Sequence, residues 1–367
     1  MENKNDLKHL NALNKIPGVG SQKMKMLLKF FKSSENIWKA DLKNLKESKI
    51  GEALAQKIIT EREKINPSLE WEKLEKENIR ITTFTDDNYP KLLKEIISPP
   101  YILYVKSADM NFNWNSQPMV AIVGSRKFTQ YGKQVAENFA RELARAGIYI
   151  VSGMAYGIDS FAHRGALEGG GKTVAVLGSS LEDKNIGPRS NYELSREIME
   201  NGALVSDFPT GIVSLPGNFP ARNRIMAGLS LGTIVIEAAL DSGSLITANL
   251  ALEANREVFA VPGSIFSPQS EGTNKLIKSG AKLAASVTDI LEELNIEKKA
   301  SEEKIKNIIP ATPEEEKIIK NLTHEPTHID TITKLTKLEA SVVSGTLAVM
   351  EMKGMIRNIG GQNYIVI

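Results

Sequence analysis

Two arginines flank an asparagine in Phe219-Pro220-Ala221-Arg222-Asn223-Arg224, which runs on into the apolar Ile225-Met226-Ala227-Gly228-Leu229-Ser230. Pro220 suits the first turn of a helix, where its missing N–H would have no helical partner. The first amides of such a helix point outward and favour an anion. Guanidinium forks match the oxygens of a phosphate. A surface helix whose arginines pair with carboxylates would use the same residues, so the neighbouring segments must decide between the two.

Those segments carry further donors. Short apolar runs end in Gly124-Ser125-Arg126, Ser152-Gly153, Gly178-Ser179-Ser180, Ser206-Asp207 and Pro262-Gly263-Ser264, and Ser242-Gly243-Ser244 opens another helix. Small residues let backbone amides approach a ligand, and serine and arginine add donors. Any one Gly-Ser is most often a tight turn. Several on one edge suit phosphate or sugar.

Catalytic and metal-binding patterns are sparse. Asp159 and His163 lie four apart in Gly157–Leu167 and form a candidate acid–base pair, against a plainer reading as a helix cap and a packed histidine. Glu237 ends an apolar run and could act as a base, with no evident nucleophile beside it. No His/Asp/Glu cluster has metal spacing. Gly169-Gly170-Gly171-Lys172-Thr173 mimics part of a P-loop, but Ala166 replaces the first glycine and the strand follows instead of preceding. Gly124 does not begin a G-x-G-x-x-G fingerprint, so a nicotinamide cofactor is not indicated; no cofactor is expected. The absence of cysteine excludes disulfides, thiolate metal sites and thiol nucleophiles.

The elements that must position these residues follow from the apolar pattern. From Met119 onward VAIVG, IYIVSG, TVAVLG, ALVSD, TIVIEA and VFAVPG alternate with amphipathic stretches near 129–146, 159–168, 190–201, 219–230, 244–256 and 272–279. Wholly apolar strands between helices predict an α/β, Rossmann-like, doubly wound parallel sheet covered on both faces over 116–296. Ligands of such sheets bind at the strands' carboxyl ends, where the Gly-Ser turns and the arginines fall.

Residues 1–78 read as a small helical domain. Ile16-Pro17-Gly18-Val19-Gly20 between two short helices resembles a helix-hairpin-helix, whose glycine amides hold a DNA phosphate without reading bases. Lys23 and Lys25 follow it, and a degenerate copy sits at Ile50-Gly51. The alternative is a hairpin that only packs. Residues 1–50 hold eleven lysines against five acids, although the whole chain of 367 residues carries only +2. Residues 79–115 are expected as a connector packed on the core, 297–311 as a charged linker, and 312–367 as three helices with a hairpin at Gly360-Gly361, a winged helix. Its third helix has only Lys353 as a base. With no apolar run of membrane-spanning length, the chain is expected in the cytoplasm.

Taken together, VGSR at 123–126, SGMAYGIDSFAHRGAL at 152–167, NFPARNRIMAGLS at 218–230, VIEA with SGSLITA at 235–248, and VFAVPG followed by EGTNKLIKSGAKL resemble the DprA/Smf family. The family acts in bacterial recombination and natural transformation. The resemblance implies a non-enzymatic protein that binds and protects incoming single-stranded DNA, forms a homodimer and loads the RecA recombinase. It implies that Arg126 holds phosphate within Gly124-Ser125-Arg126, that Phe219 contacts or stacks on a base, and that Arg222, Asn223 and Arg224 line the same pocket with Lys275 as a neighbour; Ser152 and Gly153, at a strand end on the same edge, are expected to bind nucleic acid with them. Ile277 and Leu283 fall where the family's dimer contact lies. Two departures stand out. Gly187-Pro188-Arg189 keeps a basic residue, Arg189, where members have one, without the usual tyrosine. Pro216-Gly217 replaces a basic residue that some members carry before the phenylalanine. The competing reading from the residues alone is a nucleotide-phosphate hydrolase using Glu237 or the Asp159/His163 pair.

Overall fold

Apolar residues on both sides of each strand create the sheet at the centre of the molecule. The computed structural model describes residues 4–296, 312–322, 325–353 and 355–366. The expected linker, 297–311, lies outside them. The chain forms two compact units, Met1–Lys299 and Ala300–Ile367.

In the first unit nine strands form one sheet: β1 (Arg80–Thr83), β2 (Ile102–Lys106), β3 (Met119–Val123), β4 (Tyr149–Ser152), β5 (Thr173–Val176), β6 (Gly202–Ser206), β7 (Gly232–Val235), β8 (Glu257–Ala260) and β9 (Lys282–Leu283). Their order is β1-β2-β6-β5-β4-β3-β7-β8-β9, parallel from β6 to β9. Alternate residues serve the two faces. Val120 and Ile122 of β3 pack with the helices Gln130–Arg145 and Ile158–Glu168, while Ala121 and Val123 pack with Asn218–Leu229 and Gly243–Glu253. After β3 the chain winds out to β6 on one side, then returns to β7 on the other. The crevice between the carboxyl ends of β3 and β7 is therefore the topological switch point.

The segment 79–115 does more than pack on the sheet. Its β2 pairs antiparallel with β6, opposing Tyr104 to Ser206, and its β1 adds a further edge strand. The helical region, with helices such as Lys4–Asn14 and Ser21–Phe31, shares a core with this edge: Leu13, Ile16 and Met24 join Ile102, Tyr104 and Leu204 in one apolar cluster. The buried Tyr104 hydroxyl donates to Asn11 Oδ1 at 2.8 Å. These helices and the sheet thus form one body.

In the second unit, helices Pro313–Lys320, Ile329–Thr336 and Ala340–Met352 enclose Ile318, Ile332, Val343 and Leu347. The strands β10 (Thr327–His328), β11 (Ile356–Asn358) and β12 (Asn363–Val366) form a three-stranded wing, as a winged helix requires. Lys353, the base expected after the third helix, pairs with the buried Glu315. No helix among the described residues is long and apolar enough to cross a membrane.

Candidate nucleic-acid interface

A cleft of about 540 Å³ opens at the switch point. Its floor is the turn Gly124-Ser125-Arg126-Lys127 leaving β3. Phe219, Arg222 and Asn223 form one wall; Ser242, Gly243, Ser244 and Gln269 face them. Of the residues expected to bind nucleic acid, Gly124, Ser125, Arg126, Phe219, Arg222 and Asn223 line it.

Hydrogen bonds to Ser125 hold the turn. Ser125 N–H donates to Glu237 O at 2.8 Å. Its hydroxyl donates to Gln269 Oε1 at 2.7 Å and accepts from Lys127 N at 3.0 Å. Gly157, at φ 90°, passes so close that a Cβ there would lie 2.5 Å from Ser125 O. No other residue type tolerates both the conformation and the contact. Arg126 and Lys127 remain exposed, and neither enters an ion pair among the described residues. The Arg126 guanidinium sits 4.9 Å from the centre of the Phe219 ring. A planar cation on an aromatic face is held by the ring quadrupole. Phe219 itself is half-buried on the first turn of Asn218–Leu229, which Asn218 anchors by donating to Gly178 O at 2.9 Å. Opposite, the helix Gly243–Glu253 directs its amino end at the cleft with no acid in its first turn, and Ser242 caps it. Its dipole favours an anion, opposed by Asp241, which precedes the cap and also lines the cleft.

Arg222 has a different task from the one expected. It is 4% exposed and donates to Gly153 O at 2.7 Å and Val176 O at 2.6 Å, tying together the ends of β4 and β5. Its Nε donates to Asn223 Oδ1 at 3.0 Å, which orients that amide. A Cβ on Gly153 would lie 2.0 Å from the guanidinium, so Gly153 makes room for the arginine. Burial lowers the guanidinium pKa, and the neighbouring Asp159 carboxylate opposes that shift. Arg224 does not reach the cleft at all. Two residues on in a helix is roughly a 200° rotation. Arg224 accordingly faces the other way, donating to Ser98 O at 2.7 Å and pairing with Asp207. There it lines a separate cavity with the hairpin turn Pro17–Ser21, which faces the body of its own unit. Lys25 lies over the Phe84 ring, 3.5 Å from its centre.

Three more expected residues lie elsewhere. Ser152 is buried, its hydroxyl donating to Ile122 O at 2.6 Å. Arg189 donates to Asp183 O at 2.9 Å and rests on Tyr192, outside the cleft. Lys275 borders a different cavity with Leu245 and Gly280. Ile277 is half-buried and Leu283 is 50% exposed at the free sheet edge. Sequence reasoning passed over Lys127, Thr247 and Gln269. Lys127 was readable as the next cation in the turn; Gln269 and Thr247 gave no signal, because only the fold brings them there.

The hydrolase groups are occupied structurally. His163 is fully buried, its Nδ1 hydrogen-bonded at 2.7 Å to Thr173 Oγ1, whose proton goes to Ile150 O. Burial, with Arg222 nearby, pulls its pKa down to about 3. Asp159 accepts from Ala155 N instead of pairing with the histidine, and burial pushes its pKa up. Glu237 accepts from both the amide and the hydroxyl of Thr129, fastening the start of Gln130–Arg145. Among the described residues no cluster could hold a metal ion.

A doubly wound sheet with a cleft at its switch point, lined by an arginine turn, an aromatic ring and a helix terminus, defines a Rossmann-like protein. Residues 80–295 match the family model described as DNA recombination-mediator protein A, and residues 302–362 match the DprA winged helix domain. The chain belongs to the DNA recombination-mediator protein A family, whose members are also named Smf. Protein Smf of Synechocystis is 35% identical over 387 residues, covering 96% of this chain and 97% of that protein. The DNA processing protein DprA of Streptococcus pneumoniae is 43% identical over 222 residues, 60% of this chain and 77% of its own. Its X-ray structure superposes with a TM-score of 0.66 at 34% identity, covering 80% of this chain and 99% of that one. The DNA processing protein A of Helicobacter pylori, whose structure describes a single-stranded DNA binding mode, gives 0.52 at 33% identity over 59% of this chain and 96% of that one.

Proposed function

We propose that this chain is a single-strand DNA-binding mediator of recombination, acting by binding and not by catalysis. It protects incoming strands during DNA uptake and natural transformation in the cytoplasm, passes them to the RecA recombinase, and works as a homodimer. The observation that carries this reading is the exposed Arg126 guanidinium against the Phe219 ring at the switch point. A polynucleotide offers that pair a phosphate and a base in alternation. Arg126 and Lys127 take phosphate together with the amides at Gly243; Phe219 takes the face of a base, without reading its edge. The Helicobacter relative, described as binding single strands, supports the choice of polymer. The buried bonds of His163 and Glu237 speak against the hydrolase alternative.

Fluorescence anisotropy on one oligonucleotide tests this. Losing a charge-assisted phosphate contact costs about 1.5–3 kcal/mol, roughly ten- to a hundredfold in affinity. Arg126→Ala should show that loss and reduce the salt slope by about one counterion. Phe219→Ala should cost about 1–3 kcal/mol with the slope nearly unchanged. Lys275→Ala, outside the cleft, should bind like the native chain. Native affinity in both Arg126→Ala and Phe219→Ala would remove the cleft as the DNA site.

A further inference from the structure

The turn after β8 presents two large apolar side chains to water. Ile265 is 80% exposed and Phe266 90%, side by side at its tip. Scattered apolar residues on a surface need no explanation. This pair differs because the turn beneath it is pinned. Ser267 N–H closes it on Ser264 O at 3.0 Å, and Phe266 N–H donates to Ser264 Oγ at 3.2 Å. Tyr131 Oη donates to Pro262 O at 2.9 Å, Asn274 Nδ2 to Gly263 O at 3.0 Å, and Ala238 N–H to Gln269 O at 2.7 Å. Both ends of the segment are therefore held, and the tip cannot fold back to bury the ring without breaking them.

The segment ends at the wall of the cleft. Gln269, three residues after Phe266, lines it and holds the Ser125 hydroxyl of the arginine turn. Phe219 stands at the opposite end, where a Cβ on Gly178 after β5 would lie 3.2 Å from its ring. From β5 to β8 is four strand spacings of about 4.8 Å, roughly 19 Å. At a stacked rise of 3.4 Å that is up to about six nucleotides. Between the two rings lie the exposed Arg126 and Lys127. Aromatic faces at either end of a cationic floor make a track for a single strand.

We infer that Phe266, flanked by Ile265, is a second base-stacking platform, on which the strand rests as it leaves the cleft across β8. The inference rests on the single-strand reading of the cleft. It assigns a direction to the bound strand, from Phe219 over Arg126 toward β8 and away from β6.

The full chain and thymidine oligonucleotides of four and fifteen residues test it. Phe266→Ala should weaken the fifteen-mer about tenfold, leave the four-mer within twofold, and leave the salt slope unchanged. Phe266→Trp should restore affinity. With a single 2-aminopurine walked along the fifteen-mer, Phe266→Ala should relieve quenching at one position, and Phe219→Ala at another several nucleotides away. Native binding of the fifteen-mer by Phe266→Ala, while Phe219→Ala is weakened, would overturn the second platform and leave the cleft standing. Native binding by both variants would sink the cleft reading, and this inference with it. Loss of a dimer on light scattering in Phe266→Ala would also overturn it, assigning the tip to a self-contact.

Discussion

Arg126 and Arg222 lie in the same cleft and do opposite work. One is solvent-facing and able to meet a phosphate; the other is spent on the carbonyls of Gly153 and Val176 beside a buried carboxylate. Removing one partner from a buried charge network leaves the rest uncompensated, at a cost of about 3–5 kcal/mol. Arg222→Met should lower the urea-unfolding free energy by that amount while the salt slope of DNA binding stays native. A variant as stable as the native chain yet weak in binding would show instead that Arg222 reaches the ligand. His163 supplies a pH test. Its folded pKa is about 3 against 6.5 as the ordinary value. Between these values the unfolded chain holds a proton that the folded one does not. Stability contributed by the neutral ring is complete above pH 6.5 and falls as pH drops through the window, by about 2 kcal/mol at pH 5. Denaturant curves at pH 7.5 and 5 should separate more for the native chain than for His163→Gln; parallel losses would mean an ordinary histidine.

At the level of elements, the site is a junction. β3 delivers the arginine turn, the helix Asn218–Leu229 delivers the ring, and the helix Gly243–Glu253 delivers amides. Glu237 at the end of β7 fastens the first of these to the helix that follows it. Of the two edge strands, β1 and β9, the second carries a residue of the expected dimer contact. It pairs only with β8, and Lys282 and Leu283 are both exposed. An unprotected edge invites another chain. In the homodimer proposed above, Ile277 and Leu283 supply the apolar contact. Light scattering should then give a dimer for the native chain and a monomer for Leu283→Glu combined with Ile277→Glu. Persistence of the dimer in that variant, with native circular dichroism, would place the contact elsewhere.

For the whole molecule the question is which form of DNA it prefers. In the wing unit the third helix, Ala340–Met352, carries no base along its length, and Lys353 at its end is already paired with Glu315. The cleft instead suits unstacked bases. Single strands should bind more tightly than duplex, with little base preference and a steep loss with salt. Equal or tighter duplex binding across a salt series would contradict this. The shared core of the helical region and the sheet also means that residues 1–78 are not a detachable aid to binding. Their hairpin is better probed by point substitution than by deletion.

Much of this architecture was legible in the residues. Runs such as Val120–Val123 and Ile234–Ile236 are apolar at every position, which only a sheet covered on both faces can use. The Gly-Ser endings mark its carboxyl edge, so the place of the cleft followed from the winding. The motifs indicated the family, and the family models and relatives agree. What the sequence could not decide was which way each cation points. Arg222 and Arg224 look equivalent in a string, but a helix turns them apart, and packing then sends one beneath the strand ends and the other to Asp207. Ser152, Arg189 and Lys275 were likewise plausible by type, but Ser152 is spent on Ile122, Arg189 on Asp183 and Tyr192, and Lys275 borders another cavity. Gln269 reached the cleft wall for the same reason. Residue type and period are local properties and set the elements; exposure and direction depend on contacts across the chain, which exist only once it has folded.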